Sequence, residues 1–245
     1  VQWLTANFER EGPGIPKDAP KKTGLALFGQ IVLREWWELF KLNIAIIVFS
    51  LPLVTMPAAF AASIRVCNLM VEDENVYLMR EFRAAFLGSF LKATTWGFGL
   101  LIVLGLFGYA CYVYGQLALH APIYVLPFAL ALATSLFAWI VAVHLFVLMV
   151  RAPSLSPAAL LHRAVVAGLS RPLPALGALA FTSSLWLLHV ILYPASVFMP
   201  AAFNFSLAAL AIVFSVHRST DFALALRLGR TRDGEKVSQK APGRT

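Results

Sequence analysis

Four stretches of this chain contain no Asp, Glu, Lys or Arg: Thr95–Leu117, Ile123–Val150, Leu173–Tyr193 and Met199–Val216. At 1.5 Å per residue, each is long enough to cross a hydrocarbon core roughly 30 Å thick. Inside such a core the backbone N–H and C=O groups must be satisfied within the segment, so the four runs are predicted to be helices. The connectors Gly115–Pro122 and Pro194–Pro200 are short and uncharged, which pairs the runs into two hairpins. The chain is 60% hydrophobic and 13% charged, whereas a soluble domain has about half apolar and a quarter charged residues. The expected fold is therefore an all-α, polytopic helical membrane protein. The first twenty residues hold no apolar core of the kind a signal peptide carries.

Charge placement sets the expected topology. The net charge of +8 is not read as a nucleic-acid footprint, because the cations lie between and beyond the apolar runs. Residues 65–92 carry Arg65, Arg80, Arg83 and Lys92. The 151–171 linker carries Arg151, Arg163 and Arg171, and the tail from Arg218 carries seven basic residues. By the positive-inside rule these segments share the cytoplasmic side and the uncharged turns face out. The N-terminal part adds Arg10, Lys17, Lys21, Lys22, Arg34 and Lys41. It joins the same side only if the apolar stretch that follows turns back on itself.

The segment Leu51–Pro57 (LPLVTMP) supplies such a turn. Pro52 and Pro57 each remove a backbone donor, and Pro52 steers Leu51 away from helix. Pro52, Thr55 and Pro57 are thus the expected turn residues, with arms at about Trp36–Leu51 and Ala58–Met70. The second arm has only seven residues before Arg65, so a re-entrant loop is the variant of this reading. The alternative is one proline-kinked span over 42–64, with the amino end outside. The expected organisation is a tail and helix start (1–35), a membrane domain (36–217) and a basic tail (218–245). The membrane domain divides into a broken hairpin (36–70), an interfacial helix (76–92), a hairpin (95–150), a second interfacial helix (156–169) and a last hairpin (173–216).

The stretch 76–92 places Met79, Phe82, Phe86 and Phe90 on one stripe, with Arg80, Glu81 and Arg83 off it, as in a helix lying in the membrane interface. Ser156 and Pro157 mark the start of the second interfacial helix as N-cap and first helical residue. Both segments contain Arg-Ala-x-x-x-Gly, at Arg83–Gly88 and Arg163–Gly168, a faint trace of a repeat. Ala58/Ala62 and Ala59/Ser63 have the small-xxx-small spacing of close helix packing.

Catalytic chemistry finds little support. No HExxH, P-loop or GxSxG motif is present, and Cys67 and Cys111 have no metal-ligand spacing. His120 and His217 likewise lack partners at useful spacing. The chain is read as a non-enzyme without cofactor or metal. Polar residues within apolar segments are Asn43, Thr55, Ser135, His144, Thr182, Ser183, Ser184, His189, Asn204 and Ser206. A membrane histidine is more often bonded to a neighbouring helix than used as a proton relay. An independent small transporter or channel, with Asn204, His189 or Ser183 along its path, is the competing reading. For Lys21 and Lys22 two roles stand side by side: attraction to lipid headgroups, and a docking strap for another subunit.

The run Lys41–Thr94 resembles the YesL-like family of bacterial integral membrane proteins. Ser50, Pro52 and Thr55 match its (S/C)-x-P-x-x-T turn; Tyr77, Arg80, Phe82, Phe86, Phe90 and Lys92 match its aromatic-Arg helix. The head REGPGIPKDAPKKTG, Arg10–Gly24, is similar to the amino-terminal motif of one branch. Alanines follow Pro57 where the family often has Gly-Ala. The family has no established activity, but its members are often encoded beside carbohydrate ABC importers. The resemblance implies an accessory subunit in the bacterial inner membrane that touches the permease subunits of such an importer; charge placement puts both termini in the cytoplasm, with the cations facing membrane lipids. Lys17, Lys21, Lys22, Arg80, Arg83 and Lys92 are the expected docking residues. The chain lacks the permease coupling signature Glu-Ala-Ala-x-x-x-Gly: Arg83-Ala84-Ala85 has no Glu, and Gly88 comes one place early.

Overall fold

A computed structural model of the chain describes the backbone of residues 23–239 and the side chains of residues 23–225. Lys17, Lys21 and Lys22 lie outside the described residues. The described residues form eight α-helices and no strand: α1 Gly24–Arg34, α2 Trp36–Ser50, α3 Met56–Val71, α4 Leu78–His120, α5 Val125–Arg151, α6 Pro157–Ser170, α7 Pro172–Ile191 and α8 Phe205–Gln239. Five segments are long and apolar enough to cross a membrane: 53–71, 78–120, 122–151, 172–191 and 200–225. The fold is that of a polytopic helical membrane protein. The four predicted runs coincide with parts of the last four of these segments, passing their ends by no more than two residues. At α6 the Ser156 hydroxyl accepts from the Ala159 N–H, with Pro157 opening the helix.

The chain does turn at LPLVTMP. Pro52 is extended (φ −77°, ψ 112°), a short 3₁₀ turn spans Leu53–Thr55, and α3 begins at Met56. The Thr55 hydroxyl bonds back to the carbonyls of Phe49 and Pro52, occupying acceptors that the broken helix leaves free. Arg34 then ties the start of α2 to the end of α3: its Nη2 donates to the Met70 carbonyl at 3.1 Å, and its Nη1 pairs with Asp73. A single helix over 42–64 would carry these groups far apart.

Packing reveals how deep this hairpin sits. Phe49 stacks edge-on against Phe82 and Phe86, at 5.2 and 5.1 Å between ring centres. Pro57 lies over Gly97, where a Cβ would come within 2.3 Å of the proline Cβ. The hairpin therefore runs beside 78–97 of α4 and not beside its apolar remainder. Arg65 does not interrupt α3, because its guanidinium reaches Glu81 of α4 at 3.4 Å.

Two expectations about the 76–92 stretch are revised. It is not a separate element: α4 continues unbroken from Leu78 to His120, roughly 65 Å at 1.5 Å per residue. Nothing in Lys92–Thr95 breaks a helix, and Thr95 turns its hydroxyl onto the Leu91 carbonyl. Nor does the aromatic stripe face the interface. Phe82 is fully buried and Phe86 and Phe90 pack on the core, while Met79 alone of the four points outward. The two Arg-Ala-x-x-x-Gly segments also differ: Gly88 has open space around it, whereas a Cβ at Gly168 would meet Ile140 at 2.9 Å.

The core centres on α3. Ala58, Ala59, Ala61, Ala62, Ser63, Ile64, Val66 and Cys67 are all fully buried. The small residues let α2, α4, α5 and α8 approach closely, as their spacing predicted. Ile140–Met149 of α5, Ala209–Val213 of α8 and Leu160, Ala164 and Ala167 of α6 complete it. By contrast, 98–120 of α4, the first half of α5 and most of α7 present Leu101, Ile102, Leu106, Leu126, Leu130 and Leu187 outward. An apolar exterior over whole helices is the surface that lipid chains cover.

Candidate functional site: the charged end and its adjoining groove

One end of the bundle gathers charge from segments far apart in the chain. Arg151, at the close of α5, donates to Thr220 and Asp221 of α8 at 2.6 Å each, and reaches Glu72 after α3 at 3.4 Å. His217 lies 3.6 Å from the second Asp221 oxygen. Arg34 pairs with Glu35 at 2.8 Å and with Asp73. The end of α1, the α3–α4 loop, the end of α5 and the middle of α8 thus share one polar layer. This is the arrangement that the distribution of Lys and Arg along the chain anticipates.

The expected docking residues divide by environment. Lys92 donates to the carbonyls of Pro153 and Leu155 at 3.0 Å each, holding the α5–α6 linker against α4. Arg80 is exposed, lies 4.5 Å from the centre of the Tyr77 ring and pairs with Glu81 at 3.1 Å. Arg83, one turn further along, is exposed. Beside them a groove of about 480 Å³ opens between α2 and the first turn of α4. Ala45, Val48, Phe49 and Leu78 form its apolar lining, and Glu38 and Lys41, paired at 2.6 Å, stand at its edge. The sequence marks the cations but not the groove, since the two walls are thirty residues apart and neither alone is concave.

The polar residues within apolar segments are mostly structural. Asn43 is fully buried and donates to the carbonyls of Pro200 and Ala201 at 2.9 and 2.7 Å. Its oxygen accepts from the N–H groups of Phe205 and Ser206, at 3.0 Å each. It closes the π-helical turn Pro200–Asn204 that precedes α8. His144 Nδ1 donates to the Ile140 carbonyl at 2.7 Å, which leaves Nε2 to accept from Ser219 at 2.9 Å in the neutral ring. His189 Nδ1 donates to the Ser196 carbonyl at 3.0 Å. Ser184 bonds within its own helix. Asn204 is buried with neither amide atom bonded, whereas Ser183 is exposed, so the residues named for a transport path occupy different surroundings. Among the described residues no group of three His, Cys, Asp or Glu side chains is placed to hold a metal ion.

Comparison with known proteins found no matching family model, no matching curated protein and no matching solved structure.

Proposed function

We propose that this protein is a non-catalytic accessory subunit of a bacterial carbohydrate ABC importer, seated in the inner membrane with its charged end and both termini in the cytoplasm. The observation that carries the reading is the sorting of cations at that end. Arg34, Arg151 and Lys92 are consumed in holding helices together, while Arg80 and Arg83 remain on the surface of α4 beside the groove. Exposed cations on a rigid helix offer a partner charge-assisted contacts at small ordering cost. The likeness of Lys41–Thr94 to the YesL-like family supplies the class of partner. Purification in mild detergent from cells grown on the relevant glycan is expected to recover permease subunits, identified by mass spectrometry. Arg83→Glu is expected to reduce that recovery several-fold. Cells that express the importer but yield no permease with the wild-type chain would refute the role.

Orientation has its own test. In a background with Cys67 and Cys111 replaced by alanine, His120→Cys is expected to react with an impermeant thiol reagent in intact cells. Glu74→Cys, in the exposed α3–α4 loop, is expected to react only after permeabilisation. The reverse pattern inverts the proposed topology.

A further inference from the structure

We infer that the groove between α2 and the first turn of α4 is a binding site for one anionic phospholipid, its acyl chain in the groove and its phosphate at Lys41 and Arg80. The lining argues for the chain. Ala45, Val48, Phe49, Val76 and Leu78 offer no hydrogen-bonding side chain, so a sugar or other polar solute would lose its water bonds there without replacement. The volume, about 480 Å³, falls in the range of sites that enclose small ligands.

The rim argues for the phosphate. The helices that form and back the groove carry Lys41, Arg65, Arg80 and Arg83 along this stretch against two carboxylates, Glu38, paired with Lys41, and Glu81. Glu81 is shared between Arg65 and Arg80, leaving their combined charge half neutralised. On the nearby loop, Glu72 and Asp73 are engaged by Arg151 and Arg34, and exposed Glu74 adds one further carboxylate, so the cations still outnumber the carboxylates by one. An anion at the rim restores balance, and guanidinium groups bind phosphate oxygens with paired, charge-assisted bonds. Tyr77, more than half exposed at the groove and in contact with Arg80, presents the ring-and-hydroxyl combination favoured at headgroup level. A headgroup phosphate carrying its own acyl chains satisfies both halves of the site; a free phosphate satisfies one.

The inference is independent of the importer reading, because it is tested on the purified chain alone. Phosphatidylglycerol and phosphatidylcholine are titrated separately into the full-length protein in mild detergent, and retained lipid is counted by native mass spectrometry. Phosphatidylglycerol is expected to be retained as one molecule per chain, about 10-fold more tightly than phosphatidylcholine, the effect of one good charge-assisted contact. Lys41→Gln with Arg80→Gln is expected to abolish the preference. Both side chains are well exposed, at 42% and 70%, so the fold is retained, as unchanged helicity by circular dichroism would confirm. Val48→Trp, which fills the groove from its open side, is expected to weaken both lipids by about 10-fold, a loss on the scale of one large apolar contact. Equal retention of the two lipids, a ladder of bound lipid with no preferred stoichiometry, or an undiminished preference in the double variant overturns the site.

Discussion

Replacing Asn43 by leucine is expected to destabilise the protein by about 2–3 kcal/mol, the sum over four hydrogen bonds at the modest values found between membrane helices. The cost has an identifiable source. The π-helical turn at Pro200–Asn204 leaves the carbonyls of Pro200 and Ala201 and the first N–H groups of α8 in need of partners. A single buried amide supplies all four, two as donor and two as acceptor. Leucine fits the space but orphans every one of those groups, and an orphaned buried group loses more than the bond it made. Asn43→Asp is expected to be at least as damaging. It keeps the acceptor for Phe205 and Ser206 but turns an oxygen toward the two carbonyls. Asn204→Leu should act in the opposite sense, neutral or stabilising, because its amide is buried without any hydrogen bond. Reversible unfolding in mixed micelles measures all three. Equal effects at positions 43 and 204 would remove the clamp from the account.

Alanine at Gly97 is expected to cost about 2 kcal/mol or more, while alanine at Gly105 or Gly108 of the same helix gains up to about 1 kcal/mol. The added methyl at Gly97 would stand 2.3 Å from the Cβ and 2.6 Å from the Cγ of Pro57. A proline ring at the start of a helix has no rotamer into which it can retreat, so α3 itself must shift. Gly105 and Gly108 have nothing within 4 Å, and there the methyl only reduces the freedom of the unfolded chain. Opposite signs within one helix, in the same unfolding assay, are the signature. A neutral Gly97→Ala would mean that the α2–α3 hairpin does not reach the level of Gly97.

The outlines of the fold were legible because membrane insertion imposes rules that act on short windows. The four uncharged runs, the proline turn and the Ser156 cap each depend on residues within a few positions of one another. The continuity of α4 was not legible in the same way. Amphipathic before Lys92 and apolar after it, the stretch reads as two elements, yet no proline or glycine stands in Lys92–Thr95 to break the helix, and it continues straight through. Phe82, Phe86 and Phe90 do share one face, with Met79 off it, but periodicity says only that a face is apolar, not what covers it. Phe49, thirty-three residues earlier than Phe82, covers this one. Lys92 likewise shows its charge in the sequence and its use, two carbonyls of the α5–α6 linker, only in the structure.

By itself the sequence determined that the chain is a helical membrane protein; it offered a turn at Pro52 beside a single kinked span, and it set the cations between and beyond the apolar runs. Hydropathy, proline stereochemistry and charge solvation operate on the local chain and require no knowledge of the rest. Tertiary structure alone decided that Asn43 would close a turn more than 150 residues away, that Gly97 would admit Pro57, and that Lys41 and Tyr77 would line one groove. Each of these depends on which helices pack together, and that is set by the mutual fit of whole surfaces and not by any single window of residues.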